Sequence, residues 1–177
     1  MRLRAQSLTT LLVGVIALSY LIQILLPGYE EALWISGAEF DQGQYWRLFT
    51  VALVHGGFFH LGFNLYALHI LGTPVEQFFG RPRYITILLV SLIFGSLASA
   101  LFNNPYIASV GASGMVFGLF GALALISARV GVEWRGIIGI VLINFALGFV
   151  IGGVDWRAHV GGLLGGTLIT LALNRSK

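Results

Sequence analysis

The sequence predicts an all-α membrane protein, a bundle of six transmembrane helices with a long first extracytoplasmic loop. Three observations carry that expectation. Hydrophobic residues make up 57% of the 177 residues and charged residues only 10%, a balance foreign to an ordinary soluble domain. The apolar residues fall into runs near 8–26, 51–72, 84–102, 113–128, 136–152 and 157–174, which the span length of about twenty residues divides into six helices of a single membrane domain, 1–177. The basic residues, which give a formal charge of +3, stand in ones and twos between these runs. They read as topology signals and not as a nucleic-acid-binding patch.

Arg2 and Arg4 precede the first run, an arrangement shared with signal peptides. Ala17-Leu18-Ser19 loosely fits a cleavage pattern, but the run continues to Leu26 before Pro27-Gly28 ends it. That is too long for a signal-peptide core, so an uncleaved span is expected. The connection 27–50 carries Glu30, Glu31, Glu39 and Asp41 together with Trp34, Tyr45 and Trp46. Such a mixture predicts an ordered interfacial loop with short amphipathic helices lying on the membrane. An even number of spans puts both termini on one side with the second and fourth connections. That side holds Arg2, Arg4, Arg81, Arg83, Arg129, Arg135, Arg175 and Lys177, eight of the ten basic residues, against Arg47 and Arg157 opposite. Both termini are therefore expected in the cytoplasm.

Spans two, four and six then all begin at their outer ends. His55 and His60 fall early in span two, Ser113 begins span four, and His159 begins span six. Polar groups scattered along the chain thus converge at one depth. Hydrocarbon supplies no hydrogen bonds, so groups held there are a functional hypothesis by default. Span four is short: from Ser113 to Ala128 it would rise about 24 Å, less than the roughly 30 Å hydrocarbon thickness. The uncharged stretch Asn103-Asn104-Pro105-Tyr106-Ile107-Ala108-Ser109 is expected to dip in and complete the crossing, leaving Ser113 at a helix N-terminus facing a water-accessible cavity. Gly114, Gly118 and Gly121 on span four and Gly161, Gly162, Gly165 and Gly166 on span six are spaced for close helix packing, which would bring His159 to Ser113.

A serine hydroxyl becomes a good nucleophile when a base takes its proton, and neutral imidazole is the usual base near neutral pH. Ser113 and His159 supply those groups. His60 and Asn64, four apart, share a helix face and can both donate to a developing oxyanion, as can the backbone N–H of Ser113. Each residue alone has a plainer reading: membrane serines often bond their own backbone, and a lone histidine often only packs. His69, deeper on span two, is expected to be such an interior histidine. A metal site is disfavoured, since His55 and His60 are five apart and HExxH is lacking. No carboxylate falls inside any proposed span, which disfavours an aspartyl protease or a proton-coupled transporter. The chain has no cysteine, so thiol chemistry is excluded.

These residues resemble the rhomboid intramembrane serine proteases. The match comprises Trp46-Arg47 in the first loop, His60-Leu61-Gly62-Phe63-Asn64, Gly111-Ala112-Ser113-Gly114 and Ala158-His159-Val160-Gly161-Gly162, in that order on a six-helix layout. The resemblance implies a rhomboid-like bundle with a Ser113–His159 dyad, an oxyanion hole from His60, Asn64 and Ser113, and structural support from Gly111, Gly114, Phe117, His55, Trp46 and Arg47. It implies no cofactor and no metal. Many rhomboids carry tyrosine where this chain has Phe117, so ring stacking on His159 is expected without the hydroxyl. The implied partners are the lipid bilayer and single-pass membrane proteins, cleaved near the outer face after a small residue where their helix unwinds. Movement of span five and Gly152-Gly153-Val154-Asp155 is the expected substrate route. Without extra domains or targeting extensions, the chain fits a prokaryotic inner-membrane enzyme. Two rivals stand beside this reading: a catalytically inactive relative that binds transmembrane helices, and a small transporter or channel. The retained serine, histidine and glycine argue against the first. Polar residues at one depth, not along a pathway, argue against the second.

Overall fold

The computed structural model describes residues 7–131, 133, 135, 136, 138, 139 and 154–175. Among these the chain is helical, and its only β-type feature is an isolated bridge between Ile35 and Ser109. The elements are α1 (Leu8–Leu25), α2 (Tyr29–Leu33), α3 (Gly37–Asp41), α4 (Arg47–Thr50), a 3-10 turn (Val51–Leu53), α5 (Phe58–Phe79), α6 (Arg81–Phe102), α7 (Ser113–Val130) and α8 (Trp156–Arg175). Helices α1, α6 and α7 are each long and apolar enough to cross a membrane, and the segment Arg47–Leu53 with α5 adds a fourth if that pair, bent by 102°, is one span. The span expected at 136–152 lies almost entirely outside the described residues, as do Arg2, Arg4, Lys177, Gly152 and Gly153.

Local chemistry explains the boundaries. Helix α1 begins where Ser7 Oγ accepts the Thr10 N–H (3.1 Å). Its next orphan amides, Leu8 N and Thr9 N, donate to Glu76 at 2.8 and 2.9 Å, and the Thr9 hydroxyl donates to the same carboxylate at 2.7 Å. This overturns two expectations. Span two does not stop near residue 72 but runs through Thr73-Pro74-Val75 to Phe79, and it contains a carboxylate. Buried in an apolar bundle, Glu76 is tolerable because another helix's unsatisfied N–H groups and Arg81 (3.7 Å) surround it. Helix α5 also begins later than the first residue of the expected span two. Gly57, at φ 145°, separates the apolar Val51–Val54 from α5, so His55 lies in the bend and not on the helix.

Glycine sets the closest packing. A methyl on Gly162 of α8 would lie 2.8 Å from the carbonyl carbon of Gly114, and one on Gly166 would lie 2.6 Å from that of Gly118. Helices α7 and α8 therefore meet backbone to backbone, with Phe117, Leu119, Leu123 and Ile126 buried in the surrounding core. Lipid tails are as apolar as leucine, so such van der Waals contact is what holds membrane helices together. Gly162→Ala is expected to cost about 1–3 kcal/mol by overpacking, read as a lower melting temperature in detergent.

The connection between α1 and α5 is knitted by its own polar groups. Arg47, buried in α4, donates to the carbonyls of Glu31 (2.8 Å) and Trp34 (2.7 Å) and to Gln44 Oε1 (2.7 Å). Its neighbour Trp46 is 54% exposed. Burial pushes the Glu39 carboxyl up, but hydrogen bonds from Ser36, its own amide and Trp34, with the Arg47 charge, outweigh this and hold it below the usual carboxylate range.

Candidate active site

The segment entering α7 is positioned before the helix begins. Ser109 pairs with Ile35 through N–H to carbonyl bonds of 3.1 and 2.7 Å, Pro105 accepts the Ala38 N–H at 3.0 Å, and Gly111 donates to the Val51 carbonyl at 2.9 Å. The stretch 103–109 is thus irregular but tied to the loop helices. Gly111 adopts φ 117°, a conformation open to glycine and strained for other residues. Ser113 is the first residue of α7, partly accessible, with its backbone N–H among the helix's orphan donors.

His60 lies beside the turn leading into α7, Asn64 is bonded to His60, and His159 packs against α7 itself. A methyl placed on Gly111 would lie 2.7 Å from Cε1 and 2.9 Å from Nε2 of His60, so that imidazole rests directly against the turn leading to Ser113. Asn64, one turn further along α5, is buried and donates Nδ2 to the His60 carbonyl (2.9 Å). Its Oδ1 is buried without a hydrogen-bond partner among the described residues. From α8, the imidazole of His159 stacks on Phe117 with centroids 4.0 Å apart and planes 13° from parallel. Phe117 lies four residues after Ser113, on the same face of α7. Asp155 sets the start of α8 by accepting the Arg157 and Ala158 amides at 3.1 and 3.3 Å, which fixes the turn carrying His159.

The supporting residues divide. His55 is fully buried; its Nε2 accepts the Ala112 N–H at 3.4 Å, and its ring meets His60 edge-on at 5.1 Å. Trp46 and Arg47 belong to the loop and lie apart from these contacts. Gly114 is helical, and a methyl there would make only ordinary contacts, the nearest at 3.6 Å. It is Gly162 whose lack of a side chain lets the two backbones meet here, whereas the forced backbone is at Gly111. His69 is exposed on α5, contrary to the expectation of an interior histidine. One residue passed over in the sequence is tied to this region: Gln23, whose side chain bonds both backbone groups of His55. A lone amide within an apolar run is the signal that could have marked it.

This arrangement of α5, α7 and α8 meets a family-level match. The Rhomboid domain family model matches residues 42–176. The chain belongs to the rhomboid family. Among rhomboid relatives, it is 43% identical to rhomboid protease GluP of Bacillus subtilis (strain 168) over 141 residues, which is 77% of this chain and 27% of that protein. It is 33% identical over 172 residues to rhomboid protease GlpG of Pectobacterium atrosepticum, 90% of this chain and 60% of that protein. RHOMBOID-like protein 1 of Arabidopsis thaliana is 40% identical over 131 residues, 70% of this chain and 33% of that protein. This rhomboid chain therefore spans between about a quarter and three-fifths of these three relatives.

Proposed function

We propose that this chain is an intramembrane serine endopeptidase that cleaves transmembrane segments of single-pass membrane proteins near the outer membrane face. In this reading, six spans form one domain, with residues 136–152 as the fifth. Both termini lie in the cytoplasm of a prokaryotic cell, and the loop 27–50 lies outside. Ser113 Oγ attacks the scissile carbonyl while His159 takes its proton; the protonated imidazole then gives that proton to the leaving amine. Water hydrolyses the resulting ester by the same exchange. The oxyanion is held by the Ser113 N–H, His60 and the second Nδ2 hydrogen of Asn64.

The observation that most supports this reading is the Phe117–His159 stack, which ties the base to the face of the helix that Ser113 begins. A ring packed flat on the imidazole restrains it without the hydroxyl that a tyrosine would bring. The substrate helix has to unwind first, because its carbonyls are occupied by intrahelical bonds. Helix-weakening residues near the cleavage site are therefore favoured.

Only an activated serine reacts readily with a fluorophosphonate. The purified protein should be labelled and Ser113→Ala should not be; absence of labelling in the native protein would refute the proposal. Asn64→Ala removes one oxyanion donor and is expected to lower kcat about 10²-fold with little change in KM, measured on a fluorogenic transmembrane peptide.

A further inference from the structure

Gln23 lies on α1, a helix that supplies none of the residues assigned to the reaction. Its Oε1 accepts the His55 N–H at 2.9 Å, and its Nε2 donates to the His55 carbonyl at 2.8 Å and to Glu30 Oε2 at 2.7 Å. Reversing the amide would set donor against donor at the His55 N–H, so these partners fix its orientation. The backbone clamped in this way is the bend between the 3-10 turn and α5, with no regular ladder of its own.

Two short paths lead from that bend to the site. The His55 ring accepts the Ala112 N–H at 3.4 Å, next to Ser113. The following amide, Gly56 N–H, donates to Nδ1 of His60 at 3.3 Å. A neutral imidazole that accepts at Nδ1 carries its proton on Nε2, and the Cε1–Nε2 edge is the part of His60 that lies against Gly111.

We propose that Gln23 is a positioning residue: by clamping the His55 backbone it aims the Gly56 N–H at His60, which fixes the tautomer and direction in which His60 presents Nε2–H to the oxyanion. The assignment rests on the protease reading above, and it adds a residue from α1 to the machinery. Small displacements of a preorganised donor are costly, since such groups act at a set distance from the developing charge.

The test uses the full chain in detergent micelles with a fluorogenic transmembrane peptide. Gln23→Met keeps the length and apolar packing of the side chain but none of its three hydrogen bonds. Its kcat per folded molecule is expected to fall roughly 10- to 100-fold, with KM changed by less than about twofold. Gln23→Glu provides a second readout. A neutral carboxylic acid keeps an acceptor for the His55 N–H and one donor, shared between the His55 carbonyl and the Glu30 carboxylate, whereas a carboxylate lacks the donor and is repelled by Glu30. Its kcat relative to the native enzyme should therefore rise as pH falls from about 8 to about 5.

An unchanged kcat in Gln23→Met, or a loss explained wholly by a smaller folded fraction, overturns the proposal while leaving the protease reading intact. If Gln23→Met does not fold, Gln23→Glu decides: a relative kcat independent of pH, or failure to fold, overturns it as well. A native enzyme that neither cleaves the peptide nor takes the fluorophosphonate overturns both this proposal and the reading beneath it.

Discussion

Ser113→Ala and His159→Ala are each expected to reduce cleavage of a transmembrane substrate by at least about 10³-fold while the protein stays folded. The two losses should be similar in size, because nucleophile and base act as one unit and removing either leaves the other without a role. Folding is expected to persist because Ser113 is partly accessible at a helix start, while the α7–α8 seam rests on Gly114, Gly118, Gly162 and Gly166. His159→Ala also opens space against Phe117, so its melting temperature should fall further than that of Ser113→Ala. Cleavage in proteoliposomes, paired with thermal unfolding in detergent, checks both statements. Cleavage retained by Ser113→Ala would remove the assigned nucleophile.

Gly111→Ala should be nearly as damaging, and Gly114→Ala should not. At Gly111 an added methyl meets two obstacles together: φ is 117°, and the His60 ring edge is 2.7 to 2.9 Å away. His60 would have to move, and with it the oxyanion contact proposed for it, so a loss of about 10²-fold or more in kcat is expected. At Gly114 the same methyl meets neighbours at 3.6 Å or beyond in ordinary helical backbone, and kcat should change by only a few-fold. Equal effects at the two positions would show that the turn's backbone, as described, does not govern the site. The measurement is kcat and KM for both variants on the same peptide.

Much of this geometry is legible in the sequence, and the exceptions have physical causes. The approach of α7 to α8 follows from glycines at four-residue intervals, because no other residue lets two backbones meet so closely. The His60 and Asn64 spacing reads directly as one helix face. The limits of α5 do not. Hydropathy joins Val51–Val54 to the helix because those residues are apolar, although Gly56-Gly57 breaks the chain direction between them. At the other end, Thr73-Pro74-Val75-Glu76 looks like a loop, and it is the amides of Leu8 and Thr9, nearly seventy residues earlier, with the Thr9 hydroxyl and Arg81, that make a buried carboxylate tolerable there. His69 misleads for a related reason: composition sets the depth of a residue along a helix but not which side of the bundle it faces. Gln23 escapes notice because its bonds to His55 are to backbone atoms, which leave no pattern in sequence. Between Gly111 and Gly114, a motif shows that glycine is present at both but not that backbone conformation requires only the first.

Because the backbones of α7 and α8 touch, the hydroxyl and the imidazole they carry ride on one stiff strut. Throttling the protein by prising that pair apart would mean breaking a seam in which backbone meets backbone, a costly movement. An inhibitor or regulatory partner of this chain should therefore be sought among molecules that block the approach to the strut, and a screen scored on substrate arrival would find what a screen for unfolding misses.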